Sequence, residues 1–219
     1  MSKRIQFGEN VEGYNIPVLN EREVLASAGI LFLVLFYAIM EVHFERNFLL
    51  LKYFIIVFLT DFILRLFVNP KFSPSLILGR LIVSRHTPEY VGAPQKKFAW
   101  KIGLGFVTVM FFLLIIVNSH SVITAVSCLL CLLFLFLESA FGICIGCLVY
   151  GWWYKEKAEY CPGEICDATK KQNIQKTSTE QLFVILVFTA YVISAILIFN
   201  DTFSVNPGNL WDKLNSTLR

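Results

Sequence analysis

The sequence predicts an all-α protein, a polytopic transmembrane helix bundle of about five helices with a short amphipathic helix at the membrane interface. Hydrophobic residues make up 56% of the 219 residues and charged residues 16%. Soluble domains average about 45–50% apolar and about 25% charged residues. The apolar residues also occur in long runs separated by polar segments, and about 20 helical residues cross a bilayer core. These observations predict an integral membrane protein in a lipid bilayer.

Five apolar runs are predicted to cross the membrane as helices, at residues 22–43, 48–68, 98–117, 121–150 and 181–199. The fourth run exceeds one perpendicular crossing, so it is tilted, kinked near Gly142 and Gly146, or extended beyond the bilayer. Residues 76–83 are too short to span. With Arg80 and Arg85 as polar members, they suit a helix lying in the interface.

The predicted helices divide the chain into five parts. These are a cytoplasmic tail at 1–20, a four-helix transmembrane core at 21–154, a cysteine-containing cytoplasmic loop at 155–180, a fifth transmembrane helix at 181–199 and a polar tail at 200–219. Within the core, residues 86–97 contain prolines and paired lysines and are predicted to be a loop. No small-residue cleavage site follows the first apolar run, so the first helix is predicted to be retained.

The basic residues predict the orientation of the bundle. Of the 19 Lys and Arg residues, 13 fall in the amino-terminal tail and the second and fourth loops, and 3 fall on the opposite side. Because short cytoplasmic loops carry the excess of Lys and Arg, the amino terminus and the loop at 155–180 are predicted to be cytoplasmic. The net charge of +3 is small, and no nucleic-acid partner is expected.

The six cysteines form three close pairs, Cys128 with Cys131, Cys144 with Cys147, and Cys161 with Cys166. Pro and Gly follow Cys161 and fit a type II turn, which would bring the last two thiols together. Exposed thiols near lysines are more reactive, and a static disulfide is not expected in a reducing cytosol. This pair is therefore predicted to be a redox or sulfur-carrying dithiol, part of a metal site, or without a role.

Cys144 and Cys147 lie three residues apart towards the cytoplasmic end of the fourth predicted helix, so both thiols point to one helix face. Together with Cys161 and Cys166 they resemble a four-cysteine site for zinc or an iron–sulfur cluster. A dithiol relay between the two pairs is another interpretation. The third is simple packing, in which Cys acts as a small apolar side chain.

Cys128 and Cys131 lie nearer the outer end of the same predicted helix. Their expected role is packing, because Cys is common at buried apolar positions. An intramembrane thiol pair like that of quinone-linked disulfide enzymes is the alternative. Such enzymes also need a cysteine pair on the outer face, which this sequence lacks, so packing is favoured.

Glu138 is the most costly charge in the sequence, because it lies in the middle of an apolar run. Charged residues in membrane helices face the bundle interior and find partners. A rise of about 1.5 Å per residue places Arg65 at the same depth as Glu138, with Asp61 one turn away. The sequence therefore predicts an Asp61–Arg65–Glu138 ion cluster, which is structural or serves proton handling or substrate binding.

Two stretches of the sequence indicate a family. Glu138 is followed by Cys144-Ile-Gly-Cys147 and then Tyr150, and upstream Gly-Ala-Pro-Gln-Lys-Lys-Phe-Ala occupies 92–99. These motifs resemble the bacterial integral-membrane family called domain of unknown function 4395, and the resemblance covers residues 18–153. It implies a four-helix core of uncharacterised function in a bacterial inner (plasma) membrane, with relatives beside thioredoxin-like or sulfurtransferase proteins.

The expected function is that of a membrane thiol-redox or sulfur-transfer component. Cys161 and Cys166 would exchange with Cys144 and Cys147 at the cytoplasmic face, with Glu138 beside them. A thioredoxin-like or sulfurtransferase protein would be the partner there. The alternative is a non-enzymatic metal-binding or scaffold subunit, in which the same four cysteines hold zinc or iron–sulfur. The sequence identifies neither a substrate nor a cofactor.

Overall fold

The computed structural model describes residues 7–11, 16–154 and 177–217, and its helices confirm the all-α prediction. In chain order the described helices are α1 (Glu21–Glu45), α2 (Leu49–Ile63), α3 (Pro74–Val83), α4 (Ala93–Phe111), α5 (Val122–Phe141), α6 (Ile145–Tyr154), α7 (Thr179–Ser204) and α8 (Leu210–Thr217). A π-helical turn extends α2 over Leu64–Val68, and another extends α4 over Phe112–Ile116.

Two short pairs of strands tie these helices together. β1 (Val18–Asn20) and β2 (Tyr90–Gly92) are antiparallel and join the residues before α1 to those before α4. β3 (Ser119–His120) and β4 (Gly208–Asn209) are parallel and join the residues before α5 to those before α8. Each pair therefore connects segments that lie far apart in the sequence.

Four of the described helices are long and apolar enough to cross a membrane, namely Glu21–Glu45, Ala93–Ile116, Val122–Phe141 and Thr179–Ser204. α2 is a shorter apolar helix of 15 residues, and with its π-helical turn it runs back alongside α1. These lengths and compositions fit an integral membrane protein, as the sequence predicts.

The long helices run alternately between two ends of the bundle, each named after a buried lysine. The Lys96 end holds the starts of α1 and α4 and the end of α5, because Lys96 contacts both Glu21 and Glu138. The Lys52 end holds the start of α2 and the end of α7, because Lys52 Nζ donates to the carbonyl oxygen of Val205 at 2.6 Å. Consecutive long helices are therefore antiparallel.

The apolar core lies between α1, α2, α4 and α5. Three aromatic side chains pack in succession along α2, Phe54 against Phe58 and Phe58 against Phe62. α7 lies beside α2 and α3, and few of its side chains are buried. Its apolar surface is therefore left for the lipid.

α4 begins earlier than the sequence analysis predicts. Ala93 is its first residue, and Pro94 occupies the first turn, where a fixed φ and a missing N–H suit a helix start. The prediction of a loop over 86–97 is therefore wrong from Ala93 onward. Lys96 consequently lies in a helix and points into the bundle, where it is fully buried.

The predicted helix over 121–150 is interrupted. α5 ends at Phe141, and Gly142 adopts a left-handed φ of 65°, which glycine does without steric cost. The N–H of Gly142 donates to the carbonyl oxygen of Glu138 at 3.1 Å, which closes the helix end. α6 begins at Ile145. The kink predicted near Gly142 is therefore a complete break between two helices.

α3 contains the predicted amphipathic segment at 76–83, and it begins at Pro74. Arg80 does not face water, because it is buried against α1 in an ion pair with Glu23 at 3.1 Å. The opposite face of α3 exposes three apolar side chains, Leu78, Leu81 and Ile82. α3 therefore turns Arg80 towards the bundle and leaves these three apolar residues outward.

Candidate functional site

The candidate site lies at the Lys96 end of the bundle, where α4, α5 and α6 meet. It contains the two cysteines of the Cys-x-x-Cys sequence, named here the Cys144/Cys147 pair. Cys144 is the residue immediately before α6, and Cys147 lies in the first turn of that helix. Both side chains are buried free thiols.

Cys144 caps the amino-terminal end of α6. Its Sγ accepts a hydrogen bond from the backbone N–H of Cys147 at 3.3 Å, and its carbonyl oxygen accepts one from the N–H of Leu148 at 3.1 Å. The first N–H groups of a helix lack partners within it, and their partial positive charge favours a thiolate. The Cys144 sulfur thus lies where a helix best stabilises a negative charge.

Gly146 allows α6 to pack directly on α4. A Cβ atom at Gly146 would lie 2.4 Å from the Cβ of Ala99, far inside the optimal separation of two carbon atoms. Phe98 and Tyr150 pack edge to face beside this crossing, with ring centroids 5.6 Å apart. The close crossing holds the Cys144/Cys147 pair against the first turns of α4.

A buried lysine with two carboxylate partners lies next to the cysteines. Lys96 Nζ is 2.8 Å from Glu21 Oε1 and 2.8 Å from Glu138 Oε1. The Lys96 side chain is 0% exposed, and that of Glu138 is 16% exposed. A buried charge persists only when it is paired and hydrogen bonded, and each of these charges has an opposite neighbour. Lys96 also interacts electrostatically with Cys144 and Cys147.

Lys96 and Glu21 are site residues that the sequence pattern alone does not single out. Lys96 falls in the predicted loop, and Glu21 lies immediately before the first apolar run. Pro94 is the signal that could have revealed them, since proline is common in the first turn of a helix. A helix that begins before Lys96 would contain the Lys96 charge, and this charge would need a partner of opposite sign in the bundle, as the Glu138 charge does.

The predicted cluster of Asp61, Arg65 and Glu138 is divided into two separate groups. Arg65 Nε lies 2.7 Å from Asp61 Oδ2, as their spacing of one turn predicts. Three serines complete the surroundings of this pair, Ser27, Ser73 and Ser75.

Glu138 pairs with Lys96 rather than with Arg65, so the prediction of an Arg65–Glu138 contact is corrected. The physical reason is that α4 begins early enough to bring the Lys96 side chain into the bundle beside the end of α5. Arg65 in turn has its donors occupied by Asp61 and by serine hydroxyl groups.

A cavity of about 250 Å³ lies between α2, α4, α5 and α6. Glu138 and Cys144 line it, and Cys131 lies about two turns along α5 from Glu138. The remaining wall is apolar, and it includes five aromatic side chains, Phe58, Phe62, Trp100, Phe106 and Phe134. The cavity is therefore an apolar space with a carboxylate and a thiol towards one end.

Cys128 and Cys131 lie in the apolar core of the bundle. Cys128 Sγ is 3.1 Å from Met110 Sδ, which is the kind of environment that a packing role requires. Cys131 is buried too, and it forms part of the cavity wall. Cys128 therefore lies in the packed core, whereas Cys131 shares the cavity wall with Cys144.

Cys161 and Cys166 lie outside the described residues. The exchange predicted between them and the Cys144/Cys147 pair stays a prediction, as does the four-cysteine metal site. Within the part of the chain that the structure describes, no group of three or more His, Cys, Asp or Glu side chains is arranged to hold a metal ion.

The two thiols of the pair differ in acidity. A hydrogen bond from the Cys147 thiol lowers the pKa of the Cys144 thiol, because it stabilises the Cys144 thiolate, and the bond from the Cys147 backbone N–H acts in the same direction. Donating this bond keeps the proton on the Cys147 sulfur and raises the pKa of the Cys147 thiol, and burial raises that pKa further. Cys144 is therefore the thiol that ionises first, and the thiolate is the nucleophilic form of cysteine.

The fold and the apolar spans define a polytopic helical membrane protein with a cysteine pair and a buried ion group, formed by Lys96, Glu21 and Glu138, at one end of its bundle. Residues 19–155 match the family described as Domain of unknown function (DUF4395), and the chain belongs to this family. The match confirms the resemblance predicted from the motifs, and it covers α1–α6 with every residue of the candidate site. No curated protein and no solved structure matches the chain.

Proposed function

We propose that this protein is a membrane thiol–disulfide oxidoreductase whose working pair is Cys144 and Cys147. The observation that supports the proposal is the position of Cys144 at the start of α6, where its sulfur accepts the Cys147 N–H at 3.3 Å. Cys-x-x-Cys sequences commonly contain a thiol of lowered pKa. Two residues three apart on a helix are also close enough for a disulfide bond.

The reaction is an exchange between this dithiol and a disulfide. The Cys144 thiolate attacks one sulfur of the substrate disulfide and releases the other as a thiolate, which takes up a proton. Cys147 then loses its proton and attacks Cys144, so that the Cys144–Cys147 disulfide forms and the second substrate thiol leaves. Two electrons and two protons pass from the pair to the substrate, and the reverse reaction oxidises the substrate.

Lys96 and Glu138 act on this exchange as positioning residues. The Lys96 ammonium stabilises negative charge on either sulfur of the pair. Glu138 holds Lys96 in place through the 2.8 Å ion pair, and Glu21 holds it from the other side. Loss of either carboxylate would leave the lysine free to pair more strongly with the remaining one.

The proposal places the Lys96 end in the cytoplasm, because the basic residues Arg22, Lys71 and Arg80 lie at this end. There Cys161 and Cys166, in the segment after α6, would pass electrons between the Cys144/Cys147 pair and a thioredoxin-like or sulfurtransferase protein. A metal-binding or scaffold subunit is the competing function. It predicts that the same cysteines hold an ion rather than react.

The test is to titrate the redox state of the pair in the purified full-length protein in detergent. The protein is equilibrated in glutathione buffers of increasing potential, and free thiols are alkylated and located by mass spectrometry. We expect Cys144 and Cys147 to lose their thiols together and to recover them with dithiothreitol. Cys144→Ser and Cys147→Ser should each abolish this transition, whereas Cys128→Ser is the matched control that should retain it.

A pair that stays reduced at every potential would contradict the proposed function. Metal analysis of the same preparation tests the competitor. Stoichiometric zinc or iron that is lost in Cys161→Ser would favour the metal-binding subunit and overturn the exchange reaction.

A further inference from the structure

We propose that the cavity between α2, α4, α5 and α6 binds the ring of a lipid-soluble quinone, which exchanges two electrons with the Cys144/Cys147 pair. The proposal rests on the proposed function, because it names the membrane-side reactant of the same pair. The thioredoxin-like or sulfurtransferase partner would be the protein-side reactant.

The cavity is shaped and lined for a single substituted ring. Its volume of about 250 Å³ lies just below the usual range for ligand pockets of about 300–1,000 Å³. Phe106 and Phe134 meet edge to face in its wall, with centroids 5.9 Å apart. Aromatic side chains favour stacked or edge contacts with another ring, so a flat conjugated ligand suits these walls better than an aliphatic chain.

The chemistry at one end of the cavity matches the polar part of a quinone. Cys144 and Glu138 line the cavity, and Lys96 lies behind Glu138 at 2.8 Å. A quinone carries two carbonyl oxygens, which become hydroxyl groups on reduction. A carboxylate and a thiol are the groups through which protons could reach those oxygens in an otherwise apolar space.

The burial of the thiols favours a small reactant from the lipid phase. The Cys144 side chain is 7% exposed and that of Cys147 is 5% exposed, so a folded protein cannot easily bring a disulfide to them. The cavity wall that leads to Cys144 includes three apolar side chains that are themselves partly or largely exposed, Phe106, Phe134 and Val149. A molecule dissolved in the bilayer therefore has a route to the sulfur.

The exchange balances without another reactant. Each thiol of the pair gives up one electron and one proton, and a sulfur–sulfur bond forms between Cys144 and Cys147. The quinone gains two electrons and two protons and becomes the quinol. In the opposite direction, a quinol reduces the disulfide.

The experiment mixes the reduced full-length protein in lipid nanodiscs with decylubiquinone or a short-chain menaquinone without oxygen. We expect one quinol for each Cys144–Cys147 disulfide, with Cys144→Ser inactive. Phe134→Ala should raise the KM for quinone about tenfold through loss of its ring contact. Phe136→Ala is the matched control, because Phe136 is also on α5 but packs against Phe32 of α1 and does not line the cavity; the KM for quinone should not change in this variant.

A second measurement does not depend on turnover. In the Cys144→Ser variant, a photoreactive quinone should label the cavity walls on α4 and α5, and unlabelled quinone should compete. If glutathione disulfide oxidises the pair and quinone does not, the quinone site is wrong and the proposed function stands. If neither oxidant reacts, both fail. Equal effects of Phe134→Ala and Phe136→Ala, or labelling elsewhere, would also overturn the site.

Discussion

Lys96 illustrates how a charge is kept inside an apolar bundle. Its side chain is fully buried, and both of its ionic contacts are 2.8 Å long. Removal of one member of a buried ion pair costs about 3–5 kcal/mol, because the remaining charge lacks a partner. Lys97, the next residue, instead lies over the ring of Phe7 and is partly exposed. Adjacent lysines thus have different structural roles.

We predict that Lys96 and Glu138 are energetically coupled and that Arg65 and Glu138 are not. Residues in direct contact show coupling energies of about 0.5–3 kcal/mol, whereas separate sites add within about 0.5 kcal/mol. The measurement is a double-mutant cycle of unfolding free energies in detergent, with Lys96→Met and Glu138→Gln. The matched cycle combines Arg65→Met with Glu138→Gln. Strong coupling in the second cycle and additivity in the first would contradict the ion group described here.

α6 is the element on which the candidate site depends. It is ten residues long, which is too short to cross a membrane, and it is held by its crossing with α4 at Gly146. Gly142 makes this geometry possible by ending α5 and leaving Cys144 at a helix start. The pair would otherwise lie within one continuous helix, where the backbone N–H groups are already bonded.

We expect Gly146→Ala to displace α6 and to impair the redox reaction of the Cys144/Cys147 pair. The new methyl group would overlap Ala99, and overpacking of this kind costs about 1–3 kcal/mol. Gly105→Ala in α4 is the matched control, because nothing lies within 4 Å of the added Cβ and alanine favours a helix. Glutathione titration and thermal unfolding of both variants are the measurements. Equal behaviour of the two would show that the crossing is not tight.

At the scale of the molecule, the two ends of the bundle differ in structure. The Lys96 end carries β1, β2, α3 and the ion group, and the Lys52 end carries β3, β4 and α8. Lys52 stabilises its end by donating hydrogen bonds to Asn118 and to the backbone at the end of α7. Lys96 therefore belongs to the candidate site, whereas Lys52 connects the end of α7 to α2 in the core.

We predict that the Lys96 end faces the cytoplasm, as the excess of basic residues requires. Lys71→Cys and Arg46→Cys place a thiol at the Lys96 end and the Lys52 end, in a Cys161→Ser/Cys166→Ser background. A membrane-impermeant maleimide should label Arg46→Cys in intact cells. It should label Lys71→Cys only after the cells are opened. The reverse pattern would overturn the orientation and move the proposed protein partner to the other side.

The sequence by itself determined the class of the protein, the approximate positions of most of its apolar helices and its family. Each of these depends on local information, because a run such as 181–199 is apolar enough to span whatever its neighbours are. The Cys-x-x-Cys spacing and the Asp61–Arg65 contact are also local, since they involve residues within one turn or so of a helix.

Only the tertiary structure decided which charges meet and where the thiols lie. Lys96 contacts Glu21 from 75 positions away in the chain and Glu138 from 42 positions away. The hydropathy of the sequence does not show which of its distant residues will meet. The break at Gly142 is a single residue within a long apolar run, so it barely changes the average on which a helix prediction depends. Yet this break places Cys144 at a helix start, next to Lys96 and a cavity, because α6 can then turn back onto α4.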